Sequence, residues 1–178
     1  MPVFDKISNT MEFISTRRKI KSPNRLKPIL RRLQAGGKKV VFTNGVFDIL
    51  HVGHVRLLEQ SKRQGDILVV ALNTDESVKR LKGPERPLNT LEKRAELMAA
   101  LACVDFVTWF EEDTPLEVFV HLRPDILVKG GDYKVSEIVG AREVKSWGGR
   151  VVRIKLVEGQ STTGLLKRVK KLGTVEKK

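Results

Sequence analysis

Between residues 39 and 154, short apolar runs alternate with stretches of helical periodicity. Runs of this length bounded by turn residues read as strands, and apolar positions three and four apart read as helices. Strands are predicted over 39–43, 67–72, 104–109, 126–128 and 150–154. Helices are predicted over 53–63, 91–101 and 137–147, with Asn89 or Thr90 capping the second and Gly148-Gly149 closing the third. A further helix is opened by Asp113 or Thr114 with Pro115 at its first position, and the last begins near Thr162 and carries Leu165, Leu166, Val169 and Leu172. Successive strands joined through helices must lie parallel, with right-handed crossovers. The expected fold is therefore α/β: a Rossmann-like, doubly wound, five-stranded parallel sheet with helices on both faces.

The chain has 178 residues, enough for one domain with extra terminal segments. The net charge of +13 is unevenly placed. Arg17 to Lys39 holds ten basic residues and no acidic one, whereas residues 40–166 hold 17 basic and 18 acidic side chains, a net of −1. The excess lies on the flanks, where it reads as a solubilising surface; contact with RNA or anionic lipid is the rival reading. Neither flank interleaves aromatics with its cations, which disfavours base stacking, so no nucleic-acid partner is expected. No apolar run approaches the ~20 residues of a membrane span, and the N-terminus has no secretory h-region. Cys103 is the only cysteine, read as a small apolar residue. These features predict a cytoplasmic protein.

Candidate chemistry collects at the carboxyl ends of the predicted strands, where open parallel sheets bind ligands. After the first strand comes Thr43-Asn44-Gly45-Val46-Phe47-Asp48-Ile49-Leu50-His51-Val52-Gly53-His54. A helix N-terminus offers unpaired N–H groups and partial positive charge to phosphate. Gly53 permits close backbone approach, and His51 and His54, three apart, can face one phosphate. Asn73, Thr74 and Asp75 follow the second strand; Asp75 is placed either to bind ligand or to cap a helix beginning at Glu76. Lys82 and Arg86 sit in the loop Lys82-Gly83-Pro84-Glu85-Arg86-Pro87, which could close on a triphosphate or remain an exposed turn. Arg94 on the next helix reads as reaching inward or as a surface ion pair. Lys129-Gly130-Gly131-Asp132-Tyr133 follows the fourth strand, with Lys129 suited to a phosphate and Asp132 to hydroxyls. Ser161, Thr162 and Thr163 offer hydroxyls and N–H groups at the last helix's start. His121 reads as structural. No P-loop, nucleophile elbow or zinc-type Cys/His cluster occurs, and no metal-ligating residue is singled out.

At these motifs the chain resembles the cytidylyltransferase-like nucleotidyltransferases of the His-x-Gly-His class. Among them it is most similar to the adenylyltransferase domain of bifunctional heptose kinase/adenylyltransferases. The matching segments are Thr43–His54, Leu81-Lys82-Gly83 with Arg86-Pro87, Phe110 to Pro115, Val128 to Tyr133 and Ser161-Thr162-Thr163. Val46 stands where such relatives carry cysteine. The resemblance implies transfer of AMP from ATP to D-glycero-β-D-manno-heptose 1-phosphate for lipopolysaccharide precursor synthesis. A cytidylyltransferase acting on glycerol 3-phosphate is the rival enzyme. The resemblance further implies that His51 and His54 bind ATP phosphates and stabilise the transition state, with Lys82 and Arg86 in the catalytic set. It implies that Asn44, Gly45, Phe47, Gly53, Asp75, Lys129, Gly131, Asp132, Tyr133, Ser161, Thr162 and Thr163 line the substrate sites. Mg²⁺ carried mainly by the ATP phosphates, a separate heptose kinase and a possible homodimer are also implied. The expected organisation is a basic extension over 1–37 with a helix at 24–35, a nucleotidyltransferase domain over 38–172 and a basic tail over 173–178.

Overall fold

The computed structural model describes residues 15–131, 134–155 and the positions 164, 166 and 169. The expected last helix and basic tail fall largely outside them. Five strands form one parallel sheet in the order β3-β2-β1-β4-β5. These are β1 (Val40–Gly45), β2 (Ile67–Asn73), β3 (Phe106–Phe110), β4 (Ile126–Gly130) and β5 (Arg150–Ile154). The helices are α1 (Pro23–Ala35), α2 (Val52–Lys62), α3 (Asp75–Lys82), α4 (Leu91–Ala100), α5 (Leu116–Leu122) and α6 (Ala141–Ser146). The strand order reverses direction between β1 and β4, and a doubly wound sheet opens its crevice at that point.

The sheet is buried on both faces, which explains its near-continuous apolar strands. On one face Val41, Leu68, Val70, Leu72, Ile126 and Val128 pack with Leu57 and Leu58 of α2 and Ala95, Met98 and Ala99 of α4. On the other, Val40, Phe42, Val69, Ala71 and Leu127 meet α1, α5 and α6. There Leu26 and Leu30, one helical turn apart, are fully buried. Pro23 occupies the first turn of α1, where its missing N–H costs no hydrogen bond, and Gly36 ends the helix.

Several boundaries differ from expectation; Pro115, expected at the first helical position, is instead the N-cap of α5, and three further differences have a visible cause. The first strand runs on through Asn44 and Gly45, because they pair with Ala71 and Leu72 of β2. The third begins at Phe106, since Val104 still closes a turn onto the Leu101 carbonyl. The helix expected over 137–147 is split into a 3₁₀ turn at Val135–Glu137 and α6. Gly140 separates them with φ +90°, and a Cβ there would lie 2.9 Å from the Phe119 ring.

The described part of the N-terminal flank packs against the domain. A 3₁₀ turn at Thr16–Lys19 lies on α4, with Arg17 2.6 Å from Glu96. Ile20 then forms a parallel bridge with Val107 on the open edge of β3, and the Lys21 N–H donates to the Val107 carbonyl at 2.9 Å. Truncation at α1 tests how far this flank is integral to the core. Leu30→Ala should lower unfolding stability by about 2–5 kcal/mol, measured by urea denaturation; an unchanged midpoint would mean that α1 is peripheral.

Candidate active site

The turn from β1 into α2 sets the histidines. Phe47 is held at φ 47°, in the left-handed region that bulky residues avoid, with its ring 5 % exposed. The ring occupies the space above Gly45, where a Cβ would come within 2.8 Å of it, and lies 5.0 Å from the His54 ring. Gly45 and Phe47 thus act here as packing partners. His51 is the N-cap of α2, but its side chain makes no capping hydrogen bond. The His54 N–H donates to the His51 carbonyl at 2.9 Å, which leaves the N–H groups of Val52 and Gly53 at the start of the first turn for other acceptors.

The His51 and His54 rings stack with centroids 3.7 Å apart and planes 23° apart. The Nδ1 atoms of both are buried without a hydrogen-bond partner. Burial pushes the His51 pKa below its ordinary value. Burial, with the neighbouring His51 adding to it, pushes His54 down to about 4. Two stacked imidazoles at this spacing resist sharing positive charge, so both are neutral at pH 7.

Two arginines hold the surrounding loops. Arg94 is fully buried, so its surface reading is corrected. It donates to the carbonyls of Val46 (2.8 Å), Asn73 (2.8 Å) and Asn89 (3.0 Å), and to Asp75 Oδ1 (2.7 Å). Asp75 is therefore committed to an ion pair. It does not cap α3 either: Thr74 is the N-cap and its hydroxyl accepts from the Ser77 N–H. Asp48, only 2 % exposed, receives the guanidinium of Arg86 at 2.7 Å and the N–H groups of Leu88 and Asn89 at 2.8–2.9 Å. Burial alone would raise its pKa, but the hydrogen bonds from Asn89 and Leu88, joined by Arg86, outweigh that and lower it. Arg86 thus neutralises a buried carboxylate rather than facing an open site. Lys82, in the last turn of α3, is exposed and has no ion-pair partner among the described residues.

A cleft of about 350 Å³ opens at the carboxyl ends of β1, β2 and β4. Asn44, Asn73 and Lys129 line it, with Asp113 and Thr114 after β3 and Glu137 after β4. Burial lowers the Lys129 pKa. Gly131 follows with φ 120°, its N–H on the Ile154 carbonyl. Asp132, Tyr133, Ser161, Thr162 and Thr163 lie outside the described residues. Among the described residues no group of three or more His, Cys, Asp or Glu is placed to hold a metal ion, and no helix is long and apolar enough to cross a membrane. Cys103 is partly buried against the core, and His121 is also partly buried, with Nε2 unpartnered.

Sequence reasoning missed Asp48, although a carboxylate inside Val46-Phe47-Asp48-Ile49-Leu50 signals a buried acid in need of donors. It left Arg94 undecided, although the residue shares the 91/94/95/98 stripe with Leu91, Ala95 and Met98. It did not single out Glu137.

Sheet order, layering and a crevice at the reversal of strand order define a Rossmann-like α/β protein with a cleft at the carboxyl edge of its sheet. Within that class the chain belongs to the cytidylyltransferase-like family, whose model matches residues 42–168. It is 62 % identical over 131 residues to the bifunctional protein HldE of Gluconobacter oxydans, covering 74 % of this chain and 27 % of that protein. With HldE of Magnetococcus marinus it shares 57 % identity over 143 residues, 80 % of this chain and 29 % of the relative. The chain thus spans under a third of the length of these relatives. A crystal structure of the lipopolysaccharide core biosynthesis protein from Thermoplasma volcanium superposes with a TM-score of 0.57 at 29 % identity, covering 70 % of this chain and all of that one. Pantoate-beta-alanine ligase from Francisella tularensis shares the fold, with a TM-score of 0.55 at 15 % identity over 76 % of this chain and 66 % of that one.

The neutral histidine pair has a consequence for stability. The unfolded chain takes up protons on His51 and His54 near pH 6.5, whereas folded His54 stays neutral down to about 4. The unfolded state therefore binds more protons across that window, so stability falls as pH drops from 6.5 toward 4. Urea midpoints measured over this range should fall less steeply for His54→Gln than for the parent. Equal slopes would show that His54 is not buried as a neutral ring.

Proposed function

We propose that this chain transfers AMP from ATP to D-glycero-β-D-manno-heptose 1-phosphate, releasing pyrophosphate and ADP-heptose. The observation that carries the reading is the stacked, neutral His51/His54 pair at an N-terminus of α2 left open by its cap residue. Identity of 50–62 % to HldE proteins, whose C-terminal part is an adenylyltransferase domain, supports the choice of nucleotide and acceptor.

The reaction is an in-line displacement at the α-phosphorus of ATP. The acceptor is already an anion, so no strong general base is needed, and the work is positioning and charge stabilisation. The α2 N-terminus would receive triphosphate oxygens on its free N–H groups. The histidines, held neutral by burial, would donate hydrogen bonds to oxygens whose charge grows in the transition state. Lys82 would add a positive charge from the α3 end. Arg86, through Asp48, would fix the loop rather than touch phosphate. Mg²⁺ would arrive on the triphosphate and draw charge from the leaving group. The nearby carboxylates Asp48 and Asp75 are already paired with arginines and would not bind it. The expected Ser161 and Thr162 contacts to the β- and γ-phosphates belong to the same reading.

Pyrophosphate release should occur with ATP and heptose 1-phosphate, and should be weak with CTP or with glycerol 3-phosphate. Preference for CTP would replace this reading with a cytidylyltransferase. His54→Ala should lower kcat by about 10²–10³-fold with an unchanged circular dichroism spectrum; near-parental turnover would remove the histidines from the mechanism.

A further inference from the structure

α4 carries the guanidinium that ties the candidate site together, yet the helix does little to fix its own ends. Thr90 is its N-cap, but the side chain makes no capping hydrogen bond. At the other end no basic residue stands in the last turn, and Leu101 closes the helix in an extended conformation through a backbone bond to the Met98 carbonyl. With 10 residues, α4 is shorter than a helix that stands alone in water. Its place is set by the face it buries (Arg94, Ala95, Met98 and Ala99) and by what grips it from outside.

The grip comes from the segment just before α1. Lys19 donates from Nζ to the Leu101 carbonyl at 3.2 Å. Another part of the chain thus supplies the cation that a helix C-terminus favours and that α4 lacks. Ile20 packs against the apolar cluster that contains Ala95, Met98 and Ala99. Arg17 adds its pair with Glu96, but both side chains are exposed, so that pair contributes little. The segment is itself pinned. Ile20 bridges to Val107, the Lys21 N–H donates to the Val107 carbonyl, and α1 follows at Pro23 with Leu26 and Leu30 buried on the opposite face of the sheet. It runs round the β3 edge as a strap, anchored on one face and gripping α4 on the other.

Arg94 lies two turns before Leu101, about 10 Å along the helix axis. A tilt of α4 moves its guanidinium relative to all of its acceptors at once. Those are the carbonyls of Val46, Asn73 and Asn89 and Asp75 Oδ1, at 2.7–3.0 Å. Val46 precedes Phe47, whose ring lies 5.0 Å from that of His54. Phe47 also shares the packed cluster with Ala95 and Met98, and close-packed neighbours pass a displacement on.

We infer that residues 15–21 are a positioning strap for the active site: Lys19 and Ile20 set the lie of α4 and, through Arg94, hold the turn that presents His51 and His54. Neither residue lines the cleft. The kinetic consequence rests on the AMP-transfer reading. In an in-line displacement, donors misplaced by about 1 Å cost up to about a hundredfold in rate, so a weakened grip is read in kcat.

The test uses the full chain with Lys19→Met and Ile20→Ala, beside the conservative Lys19→Arg and Ile20→Val. Turnover is counted per folded molecule, with the folded fraction taken from urea curves. Lys19→Met and Ile20→Ala should each lower kcat about threefold to tenfold, with KM for ATP and for heptose 1-phosphate within about twofold. The conservative variants should keep the parental kcat. Parental kcat in the Met and Ala variants, even with a lowered urea midpoint, would leave the strap a stabilising role alone and overturn the inference. Equal losses in the conservative variants would overturn it too. A second readout needs no substrate: solvent exchange of the Arg94 Nε–H, followed by NMR, should quicken about tenfold in Lys19→Met and Ile20→Ala. A fall in kcat with unchanged exchange would bypass Arg94 and refute the inference. If the parent releases no pyrophosphate, the AMP-transfer reading fails, and the exchange rates still decide the strap: faster exchange supports it and parental exchange refutes it.

Discussion

The buried guanidinium of Arg94 is the contact around which the candidate site is assembled. Its four acceptors come from the β1–α2 turn, the end of β2, the start of α3 and the segment before α4. Carbonyls at strand ends have no ladder partner, and leaving them buried without donors is expensive. One planar side chain with five N–H donors satisfies the Asn73 carbonyl at the end of β2 together with those of Val46 and Asn89 in the neighbouring turns, and the Asp75 carboxylate balances its charge. A lysine in this place would offer a single point of attachment and could not hold three chain segments in fixed relation. Asp48 does the reverse a short distance away, collecting donors around one carboxylate. The stacked histidines stand outside both of these networks.

Division of polar groups between the faces follows from the strand order. In a sheet wound outward from β1 and β4, these central strands are covered on both sides, yet their carboxyl ends separate the helices that cover them. One face ends at α2 with its histidines, and the other ends in the Asn44, Asn73 and Lys129 row.

Much of the architecture was legible in the sequence. Parallel strands buried on both faces leave continuous apolar runs, and the helices between them leave periodic ones. Where boundaries shifted, the cause was tertiary. Asn44 and Gly45 are poor strand formers drawn into β1 by pairing with β2, and Gly140 breaks a helical pattern because Phe119 fills the space beside it. The histidines were legible because a strand-to-helix turn imposes its own chemistry. Arg94, Asp48 and the true place of Asp75 were harder to read. Their roles depend on partners 19 to 48 residues away, and local sequence records the charge without recording the partner. Even so, an arginine on an apolar helical stripe and an aspartate in an apolar run are visible conflicts between pattern and residue, and each marks a buried network.

The short bridge at Ile20 bears on how this sheet avoids other sheets. An edge strand presents unpaired N–H and C=O groups that any extended chain can match. β3 is one such edge, and the chain's own N-terminal flank lies along it, taking the Val107 carbonyl and covering α4 with the preceding turn. At the far side β5 carries the exposed Arg150 and Arg153, and charged side chains on a border strand disfavour pairing with another strand. The two borders are guarded by different means, one by occupation and one by repulsion. Part of the basic flank is thereby accounted for by colloidal behaviour: it is the piece of the polypeptide that keeps the sheet from growing.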